Sequence, residues 1–452
     1  MININCYKGK KFALFGLGDS GIASARALMQ GGAKVVCWDD NEAARLRAST
    51  NAIDLCHLQE INWSDIYALI LAPGVTLNFP QPHWSVKLAK KNNVKVIGDI
   101  ELFVAQRNYF LNKHSLKNKD VPFIAITGTN GKSTTTSLIV HLLQVMGKKV
   151  EMGGNIGRPI LDLAPLEKDV FYIIECSSFQ IELAPSINPD VGILLNITPD
   201  HIERHGTIEN YENIKKQLIY KSDIGLVPEN IEFHKHARLY PVSLNPKLFN
   251  GYYTHNSKLY YNKKLLADLN NIKSLLGPHN AQNALNAIAS LRAILGEEVA
   301  NFSWQEACET YKSLPHRMQY VRKIGQVSFV NDSKATNAEA SMQALETFNN
   351  IYWIIGGIAK KGGINNLKPL FYKIKTAYLI GESAQDFAQA IDTNFNFFNC
   401  GTLENAVKKA FDDASKDKNS SVILLSPACA SYDQFANYSA RGNAFLKIVN
   451  NL

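Results

Sequence analysis

The sequence predicts an α/β protein of three domains, each built around a parallel sheet. Short apolar runs alternate with amphipathic stretches along most of the chain, the pattern of βαβ units. Two of those runs feed directly into glycine-rich turns that open helices. The composition also breaks twice, in a polar, lysine-rich stretch at 108–120 and at Leu314-Pro315. For 452 residues, these breaks divide the chain into 1–109, 110–314 and 315–452, in keeping with roughly 100–200 residues per domain.

The first unit reads as a strand at Lys11–Phe15, a helix over 21–30, a strand at Lys34–Trp38 and another over 68–71, followed by Ala72-Pro73-Gly74. In the second unit, strands are expected over 122–126, 171–174 and 191–196, and helices over 211–219 and 279–295. The third has expected strands over 327–330, 351–355, 377–380 and 422–425, separated by helical stretches. No fixed-period repeat or low-complexity tract interrupts this order.

Bulk properties narrow the function. Hydrophobic residues make up 46% and charged residues 19%, as in ordinary globular proteins. The net charge of +8 comes from Lys and Arg spread along the chain, which suits a cleft for small anions better than a nucleic-acid surface. Seven cysteines without a C-x-x-C pair form neither a disulfide framework nor a zinc site and fit a reducing cytosol. The N-terminus lacks a signal-peptide core, and no apolar run approaches the ~18 residues of a membrane span. A cytoplasmic protein without nucleic-acid or membrane partners is expected, with a monomer as the default.

Gly16-Leu17-Gly18-Asp19-Ser20-Gly21 fits G-x-G-x-x-G, with Asp39 and Asp40 following the next strand. Such glycines let the backbone approach a pyrophosphate, and the later acid accepts from a ribose or base. The turn alone also fits a nicotinamide-dependent dehydrogenase, or a tight turn without a ligand. Thr127-Gly128-Thr129-Asn130-Gly131-Lys132-Ser133-Thr134 is a P-loop variant in which Ile126 takes the first glycine position. Its N–H groups can wrap phosphate oxygens, Lys132 can reach the β- and γ-phosphates, and Ser133 can bind Mg²⁺. Together the two turns point to ATP hydrolysis driving chemistry on a second nucleotide-bearing or anionic ligand.

Glu175 ends a strand and is a candidate Mg²⁺ ligand, because hard cations take oxygen ligands. His201 follows the next strand and is either a second ligand or structural. Lys215 lies on the helix after Tyr211 beside Lys216, and taken alone reads as a solvated lysine.

These motifs resemble the Mur ligases and their relative folylpolyglutamate synthase. The string 127–134 is similar to the family's T-G-T-N-G-K-[ST] loop, and Gly153-Gly154-Asn155-Ile156-Gly157 resembles its muramoyl-substrate segment. Three further strings resemble the D-glutamate-adding branch: Leu314-Pro315-His316-Arg317-Met318, the stretch from Asn331-Asp332-Ser333-Lys334 to Asn337, and the stretch from Leu425-Ser426-Pro427 to Phe435. The resemblance covers nearly the whole chain. It implies a UDP-binding Rossmann-like domain, a central P-loop ATPase-like domain and a C-terminal Rossmann-like domain that binds D-glutamate. The implied activity is ATP-dependent joining of D-glutamate to UDP-N-acetylmuramoyl-L-alanine through an acyl phosphate, in peptidoglycan precursor synthesis.

The resemblance also implies residue roles. Gly18, Asp19, Ser20 and Asp39 would line the UDP site, with Asn155 and His201 near the muramoyl-alanine end. Gly128, Thr129, Asn130, Gly131, Lys132, Ser133, Thr134 and Asn283 would hold ATP, with Arg317 and Asp332 at its γ-phosphate and ribose. Lys132, His201, Lys215 and Arg317 would be catalytic. Ser133, Glu175, His201 and Lys215 as a carbamate would organise two Mg²⁺ ions. Lys334, Thr336, Lys360, Ser431 and Tyr438 would form the D-glutamate pocket. The chain departs from the family where no acid precedes Lys360-Lys361, and where Tyr438 replaces a common Phe. Bland alternatives are a hinge salt bridge for Arg317 and a helix cap for Ser431.

Overall fold

Each glycine-rich turn lies at the carboxyl end of the strand where its sheet reverses order. In the first sheet, β1 (Lys11–Phe15), β2 (Lys34–Trp38), β3 (Ile66–Leu71) and β4 (Lys95–Ile97) are arranged β2-β1-β3-β4, all parallel. The chain leaves β1 for one side and returns to the other. This opens a crevice above β1, where Gly16 begins the helix-forming turn. Phe12, Ala13, Leu14 and Phe15 are all buried, the continuous pattern expected when both faces of a parallel sheet are covered.

The computed structural model describes residues 1–51, 53–234, 238–244, 251–360, 362–391 and 395–452. They form two compact units. One comprises Met1–His255, Leu259–Ala267 and Gln282–Ala307; the other comprises Asn256–Lys258, Asp268–Ala281 and Cys308–Leu452.

The first unit contains both phosphate-type turns. Its second sheet has a parallel centre of β5 (Phe123–Thr127), β6 (Lys149–Gly154), β7 (Val170–Glu175), β8 (Val191–Leu194) and β9 (Ile224–Pro228) in the order β9-β8-β5-β7-β6. Four more strands, β10 (Leu239–Ser243), β11 (Tyr252–His255), β12 (Lys258–Tyr261) and β13 (Lys264–Asp268), extend it beyond β9. β5 is buried throughout and sits at the reversal point. The strand at β6 carries no strong apolar run and was not legible before folding.

The helix Asp99–Lys113 runs into the lysine-rich stretch. Its Arg107 is fully buried and donates to Asp190 Oδ2 at 2.7 Å and to the Val121 carbonyl at 2.9 Å. The same Asp190 oxygen accepts from Phe123 N at 2.7 Å, so one ion pair ties this helix to the start of β5. A single apolar cluster continues from Phe12 and Ile70 through Phe103 to Phe123 and Tyr172.

The second unit holds the third sheet: β14 (Gln319–Ile324), β15 (Val327–Asn331), β16 (Ile351–Gly356), β18 (Ile374–Ile380), β19 (Asn396–Gly401) and β20 (Ser421–Leu425), ordered β14-β15-β20-β16-β18-β19. Only β14 is antiparallel to its neighbour. A small antiparallel ladder pairs β17 (Ile358–Ala359) with β21 (Cys429–Ala430) at the carboxyl ends of β16 and β20. Among the described residues, no helix is long and apolar enough to cross a membrane.

Candidate functional site

The P-loop is held by side chains that are remote in sequence. Gly128 and Gly131 have φ of +148° and +85°, the second at the N-cap of helix Lys132–Val145. A Cβ on Gly131 would lie 2.4 Å from Asn283 Oδ1, so the loop requires glycine where Asn283 packs against it. Asn283 Oδ1 also accepts from Thr135 Oγ1 at 3.3 Å. Asn196, at the end of β8, clamps Asn130 from both sides: its Oδ1 accepts from Asn130 N at 2.9 Å and its Nδ2 donates to Asn130 O at 3.1 Å. Thr129 N donates to Asn196 O at 3.0 Å, and the Thr129 hydroxyl lies 3.2 Å from the Tyr211 hydroxyl. Lys132 folds back to the carbonyls of Gly128 and Thr129, both at 2.8 Å. Ser133 is buried in the first helical turn, and Thr134 is half-buried beside it.

Lys215 reaches the same loop from helix Ile208–Tyr220. It is 1% exposed, and its Nζ donates to Gly128 O at 3.0 Å and Thr127 Oγ1 at 3.2 Å. Burial, followed by the neighbouring Lys132 charge, holds its ammonium well below the ordinary lysine range. That favours the neutral, nucleophilic amine. Lys216 is partly buried and pairs with Glu212 at 2.6 Å.

Glu175 ends β7, alongside Ile126 of β5, and is 2% exposed. Its Oε1 accepts from Asn155 Nδ2 at 2.8 Å. Its Oε2 is buried with no hydrogen-bond partner among the described residues. A carboxylate oxygen buried in that way fits a hard divalent cation. Among the described residues no group of three or more His, Cys, Asp or Glu is placed to hold a metal ion, so a cation here would draw on Glu175, the Ser133 hydroxyl and ligand oxygens. His201 sits at φ 54°, with its ring nitrogens 3.5 Å from Asp200 and 3.6 Å from Glu203, and its ring meets Phe179 edge-on at 5.1 Å. His205, which the sequence did not single out, is buried beside Ser178 at 2.9 Å, and burial lowers it to about 4, keeping it neutral.

The N-terminal turn has its own supports. A Cβ on Gly21 would lie 1.8 Å from Gly16 O, which explains the glycine at that position. Asp39 Oδ2 accepts from Leu17 N at 2.6 Å. Gly18 caps helix Asp19–Gln30, and Asp19 makes an exposed pair with Arg47 at 3.1 Å. The Ser20 hydroxyl donates to Asp99 Oδ2 at 2.7 Å, and Gln180 Nε2 approaches the same oxygen at 3.4 Å. Buried Asp99 therefore links this turn to the segment just after Glu175. Nothing local in the sequence marked it.

In the second unit Asp332, Lys334 and Thr336 follow β15, Lys360 follows β16, and Ser431 and Tyr438 follow β20, whereas Arg317 lies just before β14. Asp332 is buried, accepting from Ser426 Oγ at 2.8 Å and Met318 N at 3.1 Å. Burial pushes its carboxyl up to about 7, against the opposing hydrogen bonds from Ser426 and Met318 and the Arg317 charge. Lys334 Nζ lies 5.3 Å over the Tyr438 ring. Ser431 is buried, with its carbonyl accepting from Phe435 N at 2.8 Å. Thr336 is half-buried and Lys360 exposed, while Lys361 lies outside the described residues.

The chain matches the Mur ligase middle domain over residues 126–291 and the Mur ligase, glutamate ligase domain over 316–429. It is 51% identical to a UDP-N-acetylmuramoylalanine–D-glutamate ligase of Bartonella henselae, across 99% of both chains. The corresponding ligase of Agrobacterium fabrum is 46% identical, across 99% of this chain and 97% of the relative. Among solved structures, a MurF ligase from Thermotoga maritima in complex with ADP aligns at a TM-score of 0.58 and 17% identity, over 100% of this chain and 99% of that one. A UDP-N-acetylmuramate–alanine ligase from the same organism aligns at 0.56 and 17%, over 98% and 99%.

Proposed function

The chain belongs to the Mur ligase family, and we propose that it is the member that joins D-glutamate to UDP-N-acetylmuramoyl-L-alanine at the expense of ATP, a cytoplasmic step of peptidoglycan precursor synthesis. Full-length identity to ligases of that name supports the substrate pair. The observation that carries the ATP chemistry is the braced P-loop, with Lys132 and buried Lys215 converging on Gly128 O.

The L-alanine carboxylate attacks the γ-phosphorus, the bond to ADP breaks, and an acyl phosphate forms. The D-glutamate amine then attacks the acyl carbon, loses a proton, and expels phosphate. A free carboxylate acylates poorly, and the phosphate supplies the leaving group. Lys132 on its loop offsets charge on the transferring oxygens. Glu175 and Ser133 would hold Mg²⁺, with Lys215 as a carbamate and His201 at a second ion. Bound Mg²⁺ supplies further neutralisation of phosphate charge. The burial that favours the neutral amine of Lys215 supports carbamate formation, which turns a cationic amine into an anionic oxygen ligand. The turn 16–21 with Asp39 would hold UDP, and the loops after β15, β16 and β20 the D-glutamate.

Phosphate release from ATP tests this directly. It is expected only when UDP-N-acetylmuramoyl-L-alanine and D-glutamate are both present. Release with L-glutamate instead, or without any amino acid, would refute the substrate assignment. A nicotinamide oxidoreductase leaves the P-loop unexplained, and absence of an NADH fluorescence change on mixing is the matching control.

A further inference from the structure

Arg441 lies in the first turn of helix Tyr438–Asn450 and is 1% exposed. Its Nε donates to Ser333 Oγ at 3.0 Å, its Nη2 to Ser333 O at 2.8 Å and Cys429 O at 3.0 Å, and its Nη1 reaches Gly356 O at 3.5 Å. These acceptors sit at the carboxyl ends of three different strands, β15, β20 and β16. Ser333 precedes Lys334, Gly356 leads to Lys360, and Cys429 leads to Ser431. The β17–β21 ladder pairs the second loop with the third. Gly357 is shaped to this arrangement: at φ +128° its Cβ would lie 2.2 Å from Ala430 O and 3.3 Å from Arg441 Nη1.

We propose that Arg441 is a positioning residue for the amino-acid substrate, fixing the spacing of the three loops that carry Lys334, Lys360 and Ser431. This rests on the D-glutamate assignment above. A planar guanidinium can span acceptors on three loops, whereas an ammonium concentrates its donors at one point. All four acceptors are neutral, and among the described residues no carboxylate hydrogen-bonds the guanidinium. Asp433 acts on the guanidinium only through its charge and offsets part of it, so the main contribution of Arg441 is to hold the spacing of the loops.

The test is steady-state kinetics of wild type, Arg441→Lys and Arg441→Met, with KM measured separately for ATP, UDP-N-acetylmuramoyl-L-alanine and D-glutamate. Thermal unfolding is run on each. Arg441→Lys should raise KM for D-glutamate about tenfold, the equivalent of one charge-assisted hydrogen bond, and leave the other two KM values within about twofold. Arg441→Met should raise it further; if that variant does not fold, the lysine variant decides. An unchanged KM for D-glutamate in folded Arg441→Lys, or equal losses across kcat and all three KM values, would overturn the proposal. A wild type that does not turn over D-glutamate would instead refute the substrate assignment.

Discussion

Replacing Glu175 by Gln should make the ligand-free protein more stable and the enzyme much slower. The change conserves volume and leaves an oxygen to accept from Asn155 Nδ2, now 2.8 Å away. What it removes is a charge whose second oxygen is buried without a hydrogen-bond partner among the described residues. An unsatisfied buried group costs about 1–3 kcal/mol, and more when charged. A neutral amide in its place relieves part of that, about 1 kcal/mol, or a rise of about 2–4 °C in midpoint. Wild type should recover the difference when Mg²⁺ binds, because a ligand at 100 times its Kd stabilises by about 2.7 kcal/mol. Thermal unfolding with and without MgCl₂ reads both effects, and phosphate release should fall at least ~100-fold, the upper range for disturbing a metal's supporting partners. A variant that melts lower than wild type without Mg²⁺, or responds to Mg²⁺ just as wild type does, would refute the reasoning.

Arg107→Met should destabilise by about 3–5 kcal/mol in denaturant titration, because it strands the Asp190 carboxylate in the interior; a loss below about 1 kcal/mol would show that the pair is replaceable. Burial raises the Asp332 carboxyl from 3.8 to about 7, so the folded chain holds a proton that the unfolded chain releases. Stability should therefore fall as pH rises across that interval, and Asp332→Asn should flatten the dependence in unfolding experiments at several pH values. Lys215 should react with ¹³C-bicarbonate to give a carbamate carbonyl resonance that Lys215→Arg lacks, and CO₂-depleted buffer should slow phosphate release; equal spectra for both proteins would exclude the modification.

The strand–turn–helix signals around Gly16 and Gly131 were readable because each is local: an apolar strand, glycines and a helix start lie within about 20 residues. Lys215 was legible only through its resemblance to a family position. Its burial depends on a helix packing across β5, which no window of sequence around it encodes. Asp99, Asn196, Arg107 and Arg441 were not singled out for the same reason. Each has at least one partner 66 to 108 residues away, and a lone polar residue inside a helix or after a strand has no periodicity to betray it. The strand Lys149–Gly154 escaped notice because only Gly153 is fully buried along it.

The Asn196 clamp has a kinetic corollary. Since both the N–H and the carbonyl of Asn130 are engaged by Asn196, as is the N–H of Thr129, this part of the loop is braced, and phosphate contacts fall to the N–H groups that Asn196 leaves open. Nucleotide capture then demands little ordering of this loop, and the energy of contact goes into affinity rather than into shaping the site. Asn196 also lies two residues beyond the end of β8, so the position of the clamp depends on the sheet. A mutation that shifts the register of β8 against β5, far from any ligand, would be felt first at the phosphates.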